Sequence, residues 1–247
     1  MRSLPITYWY SHTVPTLPYG AYSGSLRDPS RNRYSSVLYF ALVFAEMAPL
    51  ALTDTLALKH TSIQIPQLGF GVWASPPGKC VQSCLNALDV GYRHVDTAQA
   101  YGNEKEVGEA VQKSGLPREQ IFITTKFFPQ GTAEEAYQSA LASVQKCDPR
   151  EGGYVDLFLI HQPKAGPAGR KLAWQVLERL VDEGRAKSIG VSNFGPNHID
   201  QMKAYAKIWP PAVNQIEVRC LLSLSLASLL SAHRFTFMSP IIGFMLT

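Results

Sequence analysis

Four polar residues, Asp96, Tyr101, Lys126 and His161, have the types and the placement to do chemistry. Asp96 and Tyr101 lie in Gly91-Tyr92-Arg93-His94-Val95-Asp96-Thr97-Ala98-Gln99-Ala100-Tyr101-Gly102-Asn103-Glu104, the acid closing a strand-like run and the tyrosine in the turn after it. Lys126 closes the run Ile121-Phe122-Ile123-Thr124-Thr125, and His161 closes Leu157-Phe158-Leu159-Ile160. A tyrosine is a proton donor whose ordinary pKa of about 10 keeps it protonated at neutrality. A nearby ammonium stabilises the phenolate and eases the donation, and a carboxylate beside the ammonium keeps it charged. A histidine adds a second donor. Taken singly, a strand-end lysine reads as solvated and a histidine in an apolar run as a core residue. Together, at successive strand exits, the four suit a proton-donating site at one end of a β/α barrel. Arg93 and His94 alternate with Tyr92 and Val95, so both are expected to face a helix layer.

The elements that must hold these residues alternate. Strands are predicted over Leu68–Trp73, Tyr92–Asp96, Ile121–Lys126, Val155–His161, Ser188–Ser192 and Ala212–Val218. Helices are predicted over Val81–Leu88, Lys105–Lys113, Ala133–Gln145, Lys171–Glu183 and His198–Ala206. Thr132 has Glu135 at capping-box spacing, and Gly91 and Gly115 follow their helices as stops. Strand–helix alternation implies a parallel sheet, because each strand needs a crossover to return. Gly69-Phe70-Gly71 runs on into Val72-Trp73-Ala74, so no dinucleotide-binding glycine fingerprint follows the first strand. The fold class is therefore α/β, a (β/α)8 barrel that is incomplete, with six clear strands, a possible seventh at Phe235–Pro240 and no eighth. Leu221–His233 is the candidate helix before that seventh strand.

With 247 residues the chain has the length of one such barrel. A hydrophobic content of 46% with 17% charged residues is that of a globular protein. The formal charge of +4 is small and dispersed, with no basic block, which argues against nucleic acid as a partner. Val37–Ala45 is far short of the roughly 20 apolar residues that span a bilayer, so no membrane partner is expected. Cys80, Cys84, Cys147 and Cys220 have neither zinc-site nor redox-pair spacing and read as small buried side chains in a reducing cytosol. Residues 1–46, rich in Tyr, Pro and Ser, show no sustained period and are expected to be a disordered extension that adds no element to the barrel; 47–247 form the barrel domain.

From about Leu56 to about Val218 the chain resembles the aldo-keto reductases, six motifs occurring in that family's order. The resemblance implies an NADPH-dependent reduction of an aldehyde or ketone, a small-molecule carbonyl substrate, and a cytoplasmic monomer. It implies Tyr101 as acid, Lys126 as its tuner, Asp96 as the lysine's partner and His161 for substrate orientation. Ser192 and Asn193, from Gly190-Val191-Ser192-Asn193-Phe194, and Gln215, from Asn214-Gln215-Ile216-Glu217, would bind the nicotinamide carboxamide. Ser-Asn after a strand also reads as a helix N-cap, and Asn193 can do both. Trp73 and Phe128 would line the pocket, although plain packing fits Phe128 nearly as well. Two short strands, Leu56–Lys59 and Gln64–Gln67, would cap the barrel floor. Nothing matches the family's segment for the adenosine 2′-phosphate, so the chain is expected to be truncated and to bind NADPH weakly. Two other readings stay open: a catalytically impaired relative, and a metal-dependent barrel hydrolase with Asp96, His161 and Glu217 as ligands.

Overall fold

The structure is a computed structural model that describes residues 6–8, 51–58, 61–218 and 242–246. Apart from Ala51, all of these belong to one compact unit. Its centre is six parallel strands, β4 (Leu68–Gly71), β5 (His94–Asp96), β6 (Phe122–Phe127), β7 (Val155–Ile160), β8 (Ala186–Ser192) and β9 (Asn214–Val218), adjacent in that order. The six agree with the six predicted from the sequence, with ends shifted by up to two residues. A short hairpin, β2 (Thr55–Ala57) and β3 (Gln64–Pro66), pairs Thr55 with Pro66 at the position expected for the floor.

Two flanking strands are not among those predicted. β1 (Ile6–Tyr8) pairs antiparallel with β4, and β10 (Ile242–Leu246) pairs antiparallel with β9. Residues 1–46 therefore do supply one strand. Each flanking strand covers an edge that the six parallel strands leave open, where the unpaired N–H and C=O groups are a ready template. The possible strand Phe235–Pro240 and helix Leu221–His233 lie outside the described residues.

Helices α1 (Cys80–Asp89), α2 (Glu104–Lys113), α3 (Ala133–Cys147), α4 (Gly166–Asp182) and α5 (Pro196–Met202) cover one face of the sheet. Thr132 and Glu135 start α3 with the expected box: Glu135 N donates to Thr132 Oγ1 at 3.3 Å and Thr132 N donates to Glu135 Oε2 at 2.7 Å. The period of two along each strand divides the core. Val95, Ile123, Phe127, Phe158, Ile160 and Val191 turn toward helix residues such as Trp174 and Leu177. Phe122, Leu157, Leu159 and Val213 turn the other way, over Leu58 and Ile65 of the hairpin region. Burying each large apolar side chain contributes about 1.5–3 kcal/mol. α2 and α3 approach closely at Gly108, where a Cβ would lie 2.2 Å from the Lys146 carbonyl oxygen.

The phase of β5 corrects one expectation. Val95 faces the helices and Arg93 donates to the Leu88 carbonyl at the end of α1, but His94 lies on the inner side with Asp96. Its Nε2 is 2.9 Å from Thr124 Oγ1 and its ring meets Phe122 edge-on. Arg93 and His94 are adjacent, and neighbouring residues in a strand face opposite ways.

Candidate active site

The strands place their polar ends together. Asp96 is the last residue of β5, Lys126 lies near the end of β6, and His161 directly follows β7. Tyr101 ends a single 3-10 turn, Gln99–Tyr101, and Gly102 then takes a left-handed φ of 72° that lets the chain reverse into α2.

Lys126 is 1% exposed, and its Nζ donates to Asp96 Oδ1 at 2.6 Å and to the Thr97 carbonyl at 2.9 Å. It lies 5.1 Å from the centroid of the Tyr101 ring. His161 meets Tyr101 edge-on at 5.6 Å and stacks on Phe128 at 4.7 Å with the planes 14° apart. The four residues singled out from the sequence are thus gathered at one place, and Phe128 joins them as a wall against the imidazole. Trp73, two residues beyond β4, is 59% exposed.

Burial pushes the Tyr101 phenol above the ordinary tyrosine range; the Lys126 charge opposes this and Asp96 adds to it. The lysine therefore acts in the expected direction, but burial outweighs it. Burial and the Lys126 charge hold His161 down to about 4, so its ring is neutral at physiological pH. His161 Nδ1 is buried with no hydrogen-bond partner among the described residues.

Ser192, at the end of β8, and Gln215, near the start of β9, are register partners. Ser192 Oγ and Asn193 N each donate to the Gln215 carbonyl at 2.9 Å. Asn193 adopts a left-handed φ of 60°, which asparagine tolerates better than most residues. Its Nδ2 donates to Ser192 Oγ at 3.0 Å and to the His161 carbonyl at 3.2 Å. The N-cap reading of Asn193 does not hold, because α5 starts after Gly195, whose N–H donates to His198 Nδ1 at 3.2 Å. Hydroxyl and amide groups gathered in this way fit the two-sided hydrogen bonding of a carboxamide. The Gln215 side chain also crosses the sheet, Nε2 donating to Asp96 Oδ2 at 2.9 Å.

Three supporting residues carry no role in the sequence reading. Thr97 Oγ1 donates to Asn103 Oδ1 at 2.7 Å, and Asn103 Nδ2 donates to the Val72 carbonyl at 2.9 Å, so the two ends of the Tyr101 turn are clamped. Glu104, 2% exposed, accepts from Thr125 Oγ1 at 2.6 Å beside Lys126. The signal available was their position inside the same motif as Asp96 and Tyr101.

A recess of about 430 Å³ lies at the opposite end of the strands, lined in part by Ile63, Arg93, Phe122 and Lys187. Its cations are already engaged, Arg93 with the Leu88 and Tyr92 carbonyls and Lys187 with Asp156 at 3.3 Å. Among the described residues no three His, Cys, Asp or Glu side chains gather as a metal set. No helix among them is long and apolar enough to cross a membrane.

Residues 67–232 match the sequence profile of the Aldo/keto reductase family. The chain is 39% identical over 164 residues to the 9,11-endoperoxide prostaglandin H2 reductase of Trypanosoma cruzi, covering 64% of this chain and 55% of that protein. It is 44% identical over 161 residues to an aldo-keto reductase of Mycolicibacterium smegmatis, covering 64% and 56%. The chain spans about half the length of the curated relatives it matches. Among solved structures, the aldo/keto reductase of Brucella melitensis aligns with a TM-score of 0.61 at 38% identity over 73% of this chain and 69% of that one. An aldo-keto reductase solved in complex with NADPH aligns with a TM-score of 0.60 at 32% identity, over 72% and 59%. With two thirds of its length matched by the family profile and a fold that aligns with a solved member, the chain belongs to the aldo/keto reductase family.

Proposed function

We propose that this chain is an oxidoreductase that reduces an aldehyde or ketone to the alcohol with NADPH, Tyr101 supplying the proton. The observation that carries the reading is the buried Lys126 ammonium, held 2.6 Å from Asp96 Oδ1 and 5.1 Å from the centre of the Tyr101 ring. NADPH, when bound, supplies the hydride. The donor set of Ser192, Asn193 and Gln215 beside His161 fits its carboxamide, and we assign these three residues to hold it. Tyr101 donates its phenolic proton to the developing alkoxide. Lys126 stabilises the phenolate left behind, an electrostatic contribution that burial strengthens. His161, neutral at working pH, orients the carbonyl oxygen through its ring N–H, with Phe128 fixing the ring plane. Trp73 and Phe128 are assigned to the pocket walls.

We assign residues 47–247 as the barrel domain that carries the catalytic side chains, with β1 added along its β4 edge, and a cytoplasmic monomer as its working form. The test is to mix the purified chain with NADPH and a panel of aromatic and aliphatic aldehydes, following reduced-nicotinamide absorbance. Aldehyde-dependent oxidation is expected. Tight NADPH binding with no oxidation across the panel would overturn the reading.

A further inference from the structure

Gln215 contributes to two networks at once. Its carbonyl accepts from Ser192 Oγ and from Asn193 N, which ties it to the carboxamide-binding group, while its side-chain amide donates to Asp96 Oδ2. Asp96 is 5% exposed, so a carboxylate oxygen there needs a donor in place of water. Oδ1 takes Lys126 and Oδ2 takes Gln215. A donor on each oxygen fixes the plane of the carboxylate.

That plane decides where the ammonium sits. Lys126 has three N–H donors. One is held by Asp96 Oδ1 and a second by the Thr97 carbonyl, which leaves the third on the side of the Tyr101 ring, whose centroid lies 5.1 Å from Nζ. If Asp96 rotates, the first bond turns and the third loses its aim. Among the described residues, the charged and titratable groups that face the phenol are Lys126 from β6, Asp96 from β5 and His161 from the exit of β7, with His94 beneath Asp96 on the inner side. Gln215 is the contribution from β9, and it is neutral.

We propose that Gln215 is a positioning residue for the Asp96–Lys126 pair, so that the acidity of Tyr101 depends on where the Gln215 amide is held. The part of this that concerns ligand rests on the carboxamide reading of Ser192, Asn193 and Gln215. A carboxamide that draws the Gln215 side chain to itself withdraws a donor from Asp96. Asp96 then bears more unshared charge near the phenolate, which makes Tyr101 a weaker acid. By linkage, the protonation state of Tyr101 must alter the affinity for the carboxamide by the same factor.

The test uses the full chain labelled at tyrosine Cζ and at glutamine side-chain nitrogen, read by NMR. In the ligand-free wild type, the Gln215 amide protons should be shifted downfield and protected from exchange. Freely exchanging protons at solvent-like shifts would overturn the proposal without any variant. In Gln215→Met, which keeps the length and loses the donor, the Tyr101 titration midpoint should rise, on the order of half a pH unit. The same change in an Asp96→Asn background should move it by much less. An equal rise in both backgrounds would assign Gln215 a merely structural effect and overturn the proposal. Adding NADP⁺ should release the Gln215 amide from its Asp96-dependent shift. Binding that leaves that shift untouched would overturn the coupling. Failure to bind would sink the cofactor reading and leave the ligand-free result to decide the positioning role.

Discussion

Lys126 Nζ and Asp96 Oδ1 lie 2.6 Å apart with both side chains buried, although 29 residues stand between them in the chain. A buried ion pair is costly to form, but removing one member leaves the other charged and without compensation, a loss of about 3–5 kcal/mol. Lys126→Met should therefore destabilise the protein by roughly that amount, since the Gln215 amide alone cannot offset the Asp96 charge. Lys126→Met with Asp96→Asn should recover part of the loss. Urea unfolding of the single and double variants measures both, and an unchanged midpoint in the single variant would remove the pair from the stability account.

Tyr101→Phe keeps the ring that His161 meets edge-on and deletes only the hydroxyl. Aldehyde reduction should fall by at least about 10²-fold, as for a lost general acid. NADPH binding, followed by fluorescence titration, should change little. Equal turnover by the variant would reject Tyr101 as the acid.

The clamp on the Tyr101 turn makes a separate claim. Asn103→Ala leaves the buried Thr97 hydroxyl without its acceptor and takes one of two donors from the Val72 carbonyl, which keeps the Ser75 N–H, a cost of about 1–3 kcal/mol. Because the clamp sets where Tyr101 stands, kcat should fall by about tenfold or more, with KM less affected. A variant that is destabilised but turns over normally would show that the clamp serves folding alone.

His94 makes stability depend on pH. Burial holds its pKa near 4, below the unfolded value of about 6.5, so the unfolded chain binds the proton more readily. The stabilisation is therefore complete above about pH 6.5, falls as the pH drops toward 4, and changes no further below that. Its size is on the order of 3 kcal/mol. His161, held down to about 4 as well, adds a contribution of the same sign. Urea midpoints measured across this window should fall more steeply for the wild type than for His94→Gln. Parallel curves would show that His94 is not the titrating group.

Sequence alone determined the alternation of strands and helices, the Thr132–Glu135 start of α3, and the four residue types at the strand exits. These are local matters: apolar period, run length and capping chemistry are written within a few neighbouring residues. The inward side of His94 follows from the period of two that pairs it with Asp96. The left-handed φ of Asn193 was not legible, since it depends on how a strand end meets its neighbours. Nor was the net rise in the Tyr101 pKa, because burial outweighs the lysine and burial belongs to the assembled fold. The edge strands β1 and β10 were missed because short apolar stretches become strands only when an open edge is offered. The bond from Gln215 to Asp96 joins residues that no spacing rule connects, because only the curl of the sheet carries β9 across to β5.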